Sequence, residues 1–510
     1  MASNENSDQA WPTLSSHPWA WLILLIAMLM GVYSTALNIA AHPEMKMDNC
    51  LRGQELALTK DYLQGRHSPQ AIFLSWDEAV YVRAAQKISE GKVATDYLGD
   101  FVEQVRVSEK DDVLHAISAD YRLVYRSLEF MPGNRPSFVS YRSMVFPAWG
   151  VPVMLAVGCT TQGLAALRWS MLPWRALGIV AAGLLAFSLA RKRKVLALSM
   201  ASLLVAADAQ LSQSGSYFIT DVPGAALLLI WLWCLSRLCL KPTWMSSVWQ
   251  GLFMGFAVLV KADLMYVLSA SLLLAPLAVQ QQRRMMVFKC VAMTFVCYGL
   301  VLGAWAVRNH AYTNAWFITS KDAVNLYLGN SPDAPARNYR YGVSPAEQAN
   351  IDLMPTMRQA ELRDHGPEVA LRVHFKELAL AEFRADPLGI ARMFKDRVII
   401  FLKSGGFTHF PWLGGYSGVL SLFIMSVAML GSAWAGWGSW RRARPMIGAA
   451  VAFLASLAIV SMVYFEARYI SHLFALACVI ASVYIAQWLW LWLWLRNDGF
   501  PDEKSRPGVH

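Results

Sequence analysis

Ionisable residues at the ends of expected helices or just beyond them carry the first chemical signal in this sequence. They are Asp77 and Glu78, Asp221, Lys261 and Asp263, Arg308, and Glu466 with Arg468. A charged side chain at membrane depth is costly to keep, so each is a candidate for function. A carboxylate can take the proton of an attacking hydroxyl, and a cation can stabilise an anion as it leaves. Both kinds of group gathered at one membrane face suit group transfer from a lipid phosphate. A polyprenyl-phosphate sugar is such a donor, with its phosphate in the headgroup layer and its sugar just beyond.

Each of these residues also has a plainer reading. Ser75-x-x-Glu78 has the form of a capping box, and Asp77 in the first turn suits the helix dipole. Thr220 can cap a helix that Asp221 and Pro223 open. Lys261 and Asp263 can neutralise each other, as can Glu466 and Arg468, and Arg308 can anchor a helix at the interface.

The elements that must position these groups are membrane helices. Of 510 residues, 56% are hydrophobic and only 16% charged, with a mean hydropathy of +0.35. A soluble protein carries roughly a quarter charged residues. Apolar runs recur at the length that crosses about 30 Å of hydrocarbon. This excludes a disordered chain, a disulfide scaffold and a cytosolic enzyme. The runs fall at 19–41, 171–190, 195–212, 222–240, 247–262, 264–280, 287–307, 416–437, 446–464 and 468–495, which predicts ten crossings in an all-α polytopic membrane protein. The segment 145–165 is apolar too, but Pro147, Gly150, Pro152 and Gly158 interrupt it, so it is read as re-entrant or interfacial.

The net charge of +10 gathers in short gaps between runs, at Arg191–Lys194, Arg283-Arg284 and Arg441–Arg444. That is the pattern of cytoplasmic loops under the positive-inside rule, not of a nucleic-acid site. The expected order is a cytoplasmic tail (1–18), a first crossing (19–41) and an extracytoplasmic loop with amphipathic and re-entrant or interfacial segments (42–170). A six-helix block (171–307), a second extracytoplasmic loop with a juxtamembrane helix (308–415), a three-helix block (416–495) and a cytoplasmic tail (496–510) follow. The N-terminal run lacks a basic flank and a cleavage site, so it reads as a retained helix rather than a secretory signal. The seven cysteines form no framework, and the absence of any N-x-S/T sequon fits a bacterial protein. In this topology all eight candidates lie outside. Apolar residues at 80, 81, 84, 85 and 88 predict an amphipathic helix after Asp77.

In order along the chain, Asp77-Glu78-Ala79-x-Tyr81, Thr220-Asp221-x-Pro223, Trp305-Ala306-x-Arg308-Asn309, Asn325–Pro332, Asp386-Pro387 and Glu466-x-Arg468-Tyr469 form a recognisable set. The set resembles the GT-C superfamily of integral-membrane glycosyltransferases. Within it, the set is similar to the bacterial branch near protein O-mannosyltransferases and lipid A aminoarabinose transferases (glycosyltransferase family 39-like). The resemblance implies a GT-C fold and transfer of a sugar from polyprenyl phosphate to an acceptor hydroxyl, with inversion. It implies that Asp77 is the catalytic carboxylate with Glu78 beside it. It further implies that Asp221 borders the sugar, that Lys261 and Arg308 face the phosphate, and that Asn325 and Asn330 belong to a loop over the cavity. Glu466 and Arg468 would form a supporting pair.

The stretch 92–130 is longer than the family pattern leads one to expect and leaves the acceptor open: glycan, lipid or protein. No metal-ligand spacing stands out, and His115, His310, His365, His374, His409 and His472 are scattered, so no divalent metal or other cofactor is expected. Two other readings share some of these features. A lipid-linked sugar flippase would line the bilayer midplane with polar residues. A lipid-diphosphate oligosaccharide polymerase or ligase would draw on loop arginines such as Arg337, Arg340, Arg358 and Arg363.

Overall fold

A computed structural model describes residues 17–41, 76–89, 145–158, 161–279, 281–319, 321–336, 344–402, 409–437, 446–462 and 470–498. The regular structure of the described residues is all helical, with no strand among them.

Helix α1 (Pro18–Ala41) buries Ala20, Leu24, Ala27, Gly31, Thr35 and Ile39, a stripe spaced three and four residues apart. The opposite face exposes Trp19, Leu22, Leu25, Ile26 and Leu29. A helix apolar all round with only one face packed is a peripheral membrane helix whose other face meets lipid. Helix α2 (Trp76–Ser89) packs against α3 (Val145–Val157), and α4 (Thr161–Trp169) leads into α5 (Leu172–Leu189). With 13 residues, or about 20 Å, α3 is too short to cross, and Pro152 stands inside it.

Helix α6 (Lys194–Ala207) returns antiparallel to α5 and ends at Asp208, which caps the short α7 (Ala209–Ser214). The run expected at 195–212 is therefore two helices. Asp208 accepts the amide of Gln210 at 3.0 Å, and this cap stops the longer helix. Then follow α8 (Asp221–Leu240), α9 (Trp244–Val260), α10 (Leu264–Leu274) with a 3-10 turn after it, and the 33-residue α11 (Gln281–Thr313). A polar layer of α12 (Lys321–Asn330), α13 (Pro345–Met357), α14 (Gln359–His365) and α15 (Pro367–Ala385) has its own core around Tyr327, Met354, Leu362 and Phe375. Helix α16 (Pro387–Leu402) joins it to α17 (Ser417–Trp437), α18 (Ile447–Met462) and α19 (Ile470–Asp498).

Helix α19 is the axis of the bundle. Every side chain from Leu473 to Ala481 is fully buried, and α19 packs on α5, α6, α8, α17 and α18. Small residues let the helices approach. A Cβ on Gly251 of α9 would sit 2.7 Å from Cys297 Cβ of α11, and one on Gly31 would sit 3.3 Å from the Ala206 backbone.

Among the described residues six helices are long and apolar enough to cross a membrane: Pro18–Ala41, Ala165–Leu189, Asp221–Leu240, Gln281–Ala311, Pro411–Trp434 and Ser471–Leu493. The chain is a multi-pass membrane protein. The other four expected crossings correspond to the shorter apolar helices Lys194–Ala207, Trp244–Val260, Leu264–Ala278 and Ile447–Met462. The antiparallel order sorts the helix ends into two groups. At one end Lys192 lies over the Trp490 ring at 5.4 Å, and Arg283 donates to the last carbonyl of α8, Leu240 O, at 2.9 Å. The other end collects the starts of α8, α10 and α19 and the ends of α6, α9, α11 and α18.

Candidate functional site

The second end holds the candidate site, and its centre is an ion pair between helices. Asp221 stands in the first turn of α8, and Lys261 follows the last turn of α9. The α8–α9 hairpin brings them together, so that Lys261 Nζ donates to Asp221 Oδ1 at 2.9 Å. Both side chains are buried, at 7% and 4% exposure. Leaving either charge alone there would cost several kcal/mol.

The backbone confines Lys261. Its amide donates to Ala257 O at 2.9 Å, and its stem lies against Gly224, one turn into α8. A Cβ on Gly224 would fall inside contact distance of Lys261 Cδ. Only glycine leaves that slot open.

Asp263, two residues on, lies 3.9 Å from the same ammonium. The local Lys–Asp pair suggested by sequence is thus the longer of two contacts. Asp263 also faces His472 of α19, Oδ2 to Nε2, at 3.9 Å. Its buried Oδ1 has no hydrogen-bond partner among the described residues. Thr220 makes no side-chain cap, so the capping reading fails there: Asp221 faces Lys261 rather than serving only the helix dipole.

A second buried cluster lies on the other side of the first turns of α19. Arg175 of α5 donates through Nη2 to the carbonyls of Val205 at 2.7 Å and Ala206 at 3.0 Å, and to Ser212 Oγ at 3.3 Å. It thereby satisfies carbonyls that the end of α6 leaves open. Beside it, Asp208 Oδ1 accepts from His409 Nδ1 at 2.9 Å. His409 stacks on Phe474 with ring centroids 3.6 Å apart.

Arg308, near the end of α11, lies over the Trp305 ring at 4.6 Å and donates to Asn309 Oδ1 at 2.9 Å. Asn309 in turn donates to Phe317 O at 2.9 Å, fixing the turn that follows. Asn330 ends α12 and is buried. Its amide donates to Met462 O at 2.7 Å, and its oxygen accepts from the fully buried Arg397 at 2.9 Å. It acts as a joint between the polar layer and α18. Asn325 lies one turn earlier on α12 and is half-buried. Both asparagines stand on α12, within the stretch expected as the second extracytoplasmic loop.

Asp77 and Glu78 lie in the first turn of α2, but their side chains fall outside the described residues, as do Ser75, Glu466 and Arg468. The backbone of α2 is placed. Ala84 packs with Trp305, and Ala85 borders Gly150 together with Phe218. Helix α2 therefore lies between the turn that leads to Asp221 and the turn that carries Arg308. Among the described residues no three His, Cys, Asp or Glu side chains are set to hold one metal ion.

Sequence reading passed over Asp208, Arg175 and Arg397, and left His409 and His472 among scattered histidines. Asp208 had a signal: an acid inside an apolar run, two residues before Gln210. Arg175 had a weaker one, a cation one turn into a crossing.

No family model and no curated protein matches the sequence. In fold the chain is similar to the Archaeoglobus fulgidus oligosaccharyltransferase. Its apo form aligns at a TM-score of 0.50 and 15% identity, over 94% of this chain and 52% of that one. Its complex with Zn and sulfate aligns at a TM-score of 0.50 and 13% identity, over 93% and 50%. ArnT from Cupriavidus metallidurans bound to undecaprenyl phosphate aligns over 91% of this chain and 77% of that one at 15% identity, with a TM-score of 0.33, too low to bear on the fold. The chain spans about half the length of the oligosaccharyltransferase it matches. The likeness is one of fold, shared over the part of that protein that this chain spans.

Proposed function

We propose that this chain is a membrane glycosyltransferase that moves a sugar from a polyprenyl-phosphate donor to an acceptor hydroxyl. The reading is carried by the buried Asp221–Lys261 pair with Asp263 beside it, at the end of a GT-C bundle opposite the Lys192 and Arg283 turns. Positive-inside sorting would make that opposite end cytoplasmic. The site then faces the periplasm across a bacterial inner membrane.

In this mechanism the acceptor oxygen attacks the anomeric carbon in line with the phosphate oxygen. The new C–O bond forms as the sugar–phosphate bond breaks, its electron pair stays on the phosphate, and the anomeric centre inverts. Asp77 takes the acceptor's proton, and Glu78 and Asp221 position the substrates. Lys261 and Arg308 stabilise the departing phosphate, so the positive charge comes from side chains and no divalent metal is required. Asn325 and Asn330 hold the polar layer beside the site, and Glu466 with Arg468 supports it. The partners are the bilayer, the lipid-linked sugar, and an acceptor glycan, lipid or protein; no nucleic acid is involved.

Likeness to an oligosaccharyltransferase favours one second reading, transfer of an oligosaccharide from a lipid diphosphate. Membranes containing the protein, given either a labelled polyprenyl-monophosphate sugar or a labelled diphosphate-linked oligosaccharide, separate the two. Release of label from the first supports the proposal. Release from the second alone overturns it.

A further inference from the structure

We propose that Asp221 is a positioning residue that works through Lys261: it holds the ammonium until the donor binds, then yields it to the donor's phosphate. The inference rests on the donor class proposed above and changes the part Asp221 plays in it, from bordering the sugar to controlling the cation.

Three observations carry it. The ammonium is committed unequally, at 2.9 Å from Asp221 and 3.9 Å from Asp263. Its stem is fixed between the Ala257 carbonyl that holds the Lys261 amide and the slot over Gly224. Only the far end of the side chain can therefore swing. And the pair is buried, so a phosphate entering beside Asp221 and Asp263 meets two carboxylates at low dielectric. Lys261 is the cation at that point, and taking it from Asp221 supplies attraction that offsets them.

Carboxylate and phosphate thus compete for one cation. The donor is a phosphodiester with one negative charge, and the departing monoester gains another. The exchange is therefore favoured most as the sugar–phosphate bond breaks, where a cation accelerates the step. No covalent change occurs at either side chain.

The test is binding of undecaprenyl phosphate, which lacks a sugar and cannot turn over, to the purified full chain in detergent. Asp221→Asn should bind it roughly tenfold tighter than the native protein, the scale of one lost charge-assisted hydrogen bond. Asp263→Asn removes the same charge from the longer contact and should change binding far less. Gly224→Ala leaves every charge in place but crowds the Lys261 stem, and should weaken binding. A fold-level defect would lower affinity in all three.

Unchanged or weaker binding by Asp221→Asn overturns the exchange, and so does equal tightening by Asp263→Asn. Should Asp221→Asn fail to fold, native binding by Gly224→Ala is sufficient to reject it. The donor reading fails separately, if the native chain binds undecaprenyl phosphate yet releases sugar from no monophosphate donor.

Discussion

The imidazole of His409 reaches Asp208 at 2.9 Å across 201 residues of chain, with both side chains fully buried. The His409 carbonyl also accepts the amide of Ala209 at 2.8 Å. The return of the polar segment is thus fastened twice to the corner between α6 and α7. Stacking on Phe474 extends that fastening to the first turns of α19, where His472 faces Asp263.

Removing the ring should loosen that corner. His409→Ala leaves a buried carboxylate oxygen with only the Gln210 amide, at a cost of about 2–3 kcal/mol. Thermal unfolding in detergent should show the loss. Asp208→Asn with His409→Ala should cost less than the two single changes summed, because they share one interaction. Full additivity would mean that the contact contributes nothing.

The approach of α9 to α11 gives an independent test of the bundle. A Cβ at Gly251 would crowd the Thr294 carbonyl and lie 2.7 Å from Cys297 Cβ, whereas Gly299 on the same helix pair has open space around it. Gly251→Ala should destabilise by about 1–3 kcal/mol from overpacking. Gly299→Ala should be neutral or mildly stabilising, since it only restricts the unfolded chain.

Much of the fold was legible in the sequence, because crossings depend on composition and length alone. Lipid-facing α1 could be read directly, with no partner to identify. The break at Asp208 was lost in hydropathy, since one cap inside an apolar run scarcely lowers its average. In the site, the candidate residues could be named, but not their partners. Lys261 meets Asp221 across 40 residues, a contact that depends on how α8 and α9 pack. The neighbour two residues away was the more visible choice and is the longer contact. Arg175 and Arg397 were passed over in sequence, and only the fold shows them inside, bonded to helix-end carbonyls and to Asn330.

The polar layer should respond to acid. Burial holds the His374 imidazole below its ordinary pKa of 6.5; the hydrogen bond to the Asn350 carbonyl opposes it in part, Arg358 adds to the lowering, and Glu377 opposes it least. Because the folded form binds its proton less readily than the unfolded form, His374 stabilises the layer above pH 6.5. That stability falls as pH drops through 6.5 towards the folded value. Hydrogen exchange in Lys321–Asn330 and Pro367–Ala385 should accelerate over that range, and His374→Asn should flatten the response. An unchanged response in the variant would assign the effect elsewhere.

Chelation tests the source of positive charge. With Lys261 and Arg308 acting on the phosphate, sugar transfer should continue at its native rate after dialysis against EDTA. Loss of transfer on chelation, restored by added Mg²⁺ or Mn²⁺, would contradict the assignment of that charge to side chains.

The most direct measurement follows radiolabel leaving a panel of polyprenyl-phosphate sugars in membranes that contain the native protein, Asp77→Asn or Asp221→Asn, with insertion checked for each. The account predicts release from at least one donor by the native protein. It predicts a loss of roughly a hundredfold or more in Asp77→Asn, the scale of a general base, and a smaller loss in Asp221→Asn, whose tighter hold on the spent lipid phosphate slows its release. Undiminished transfer by both variants, normally inserted, would contradict it.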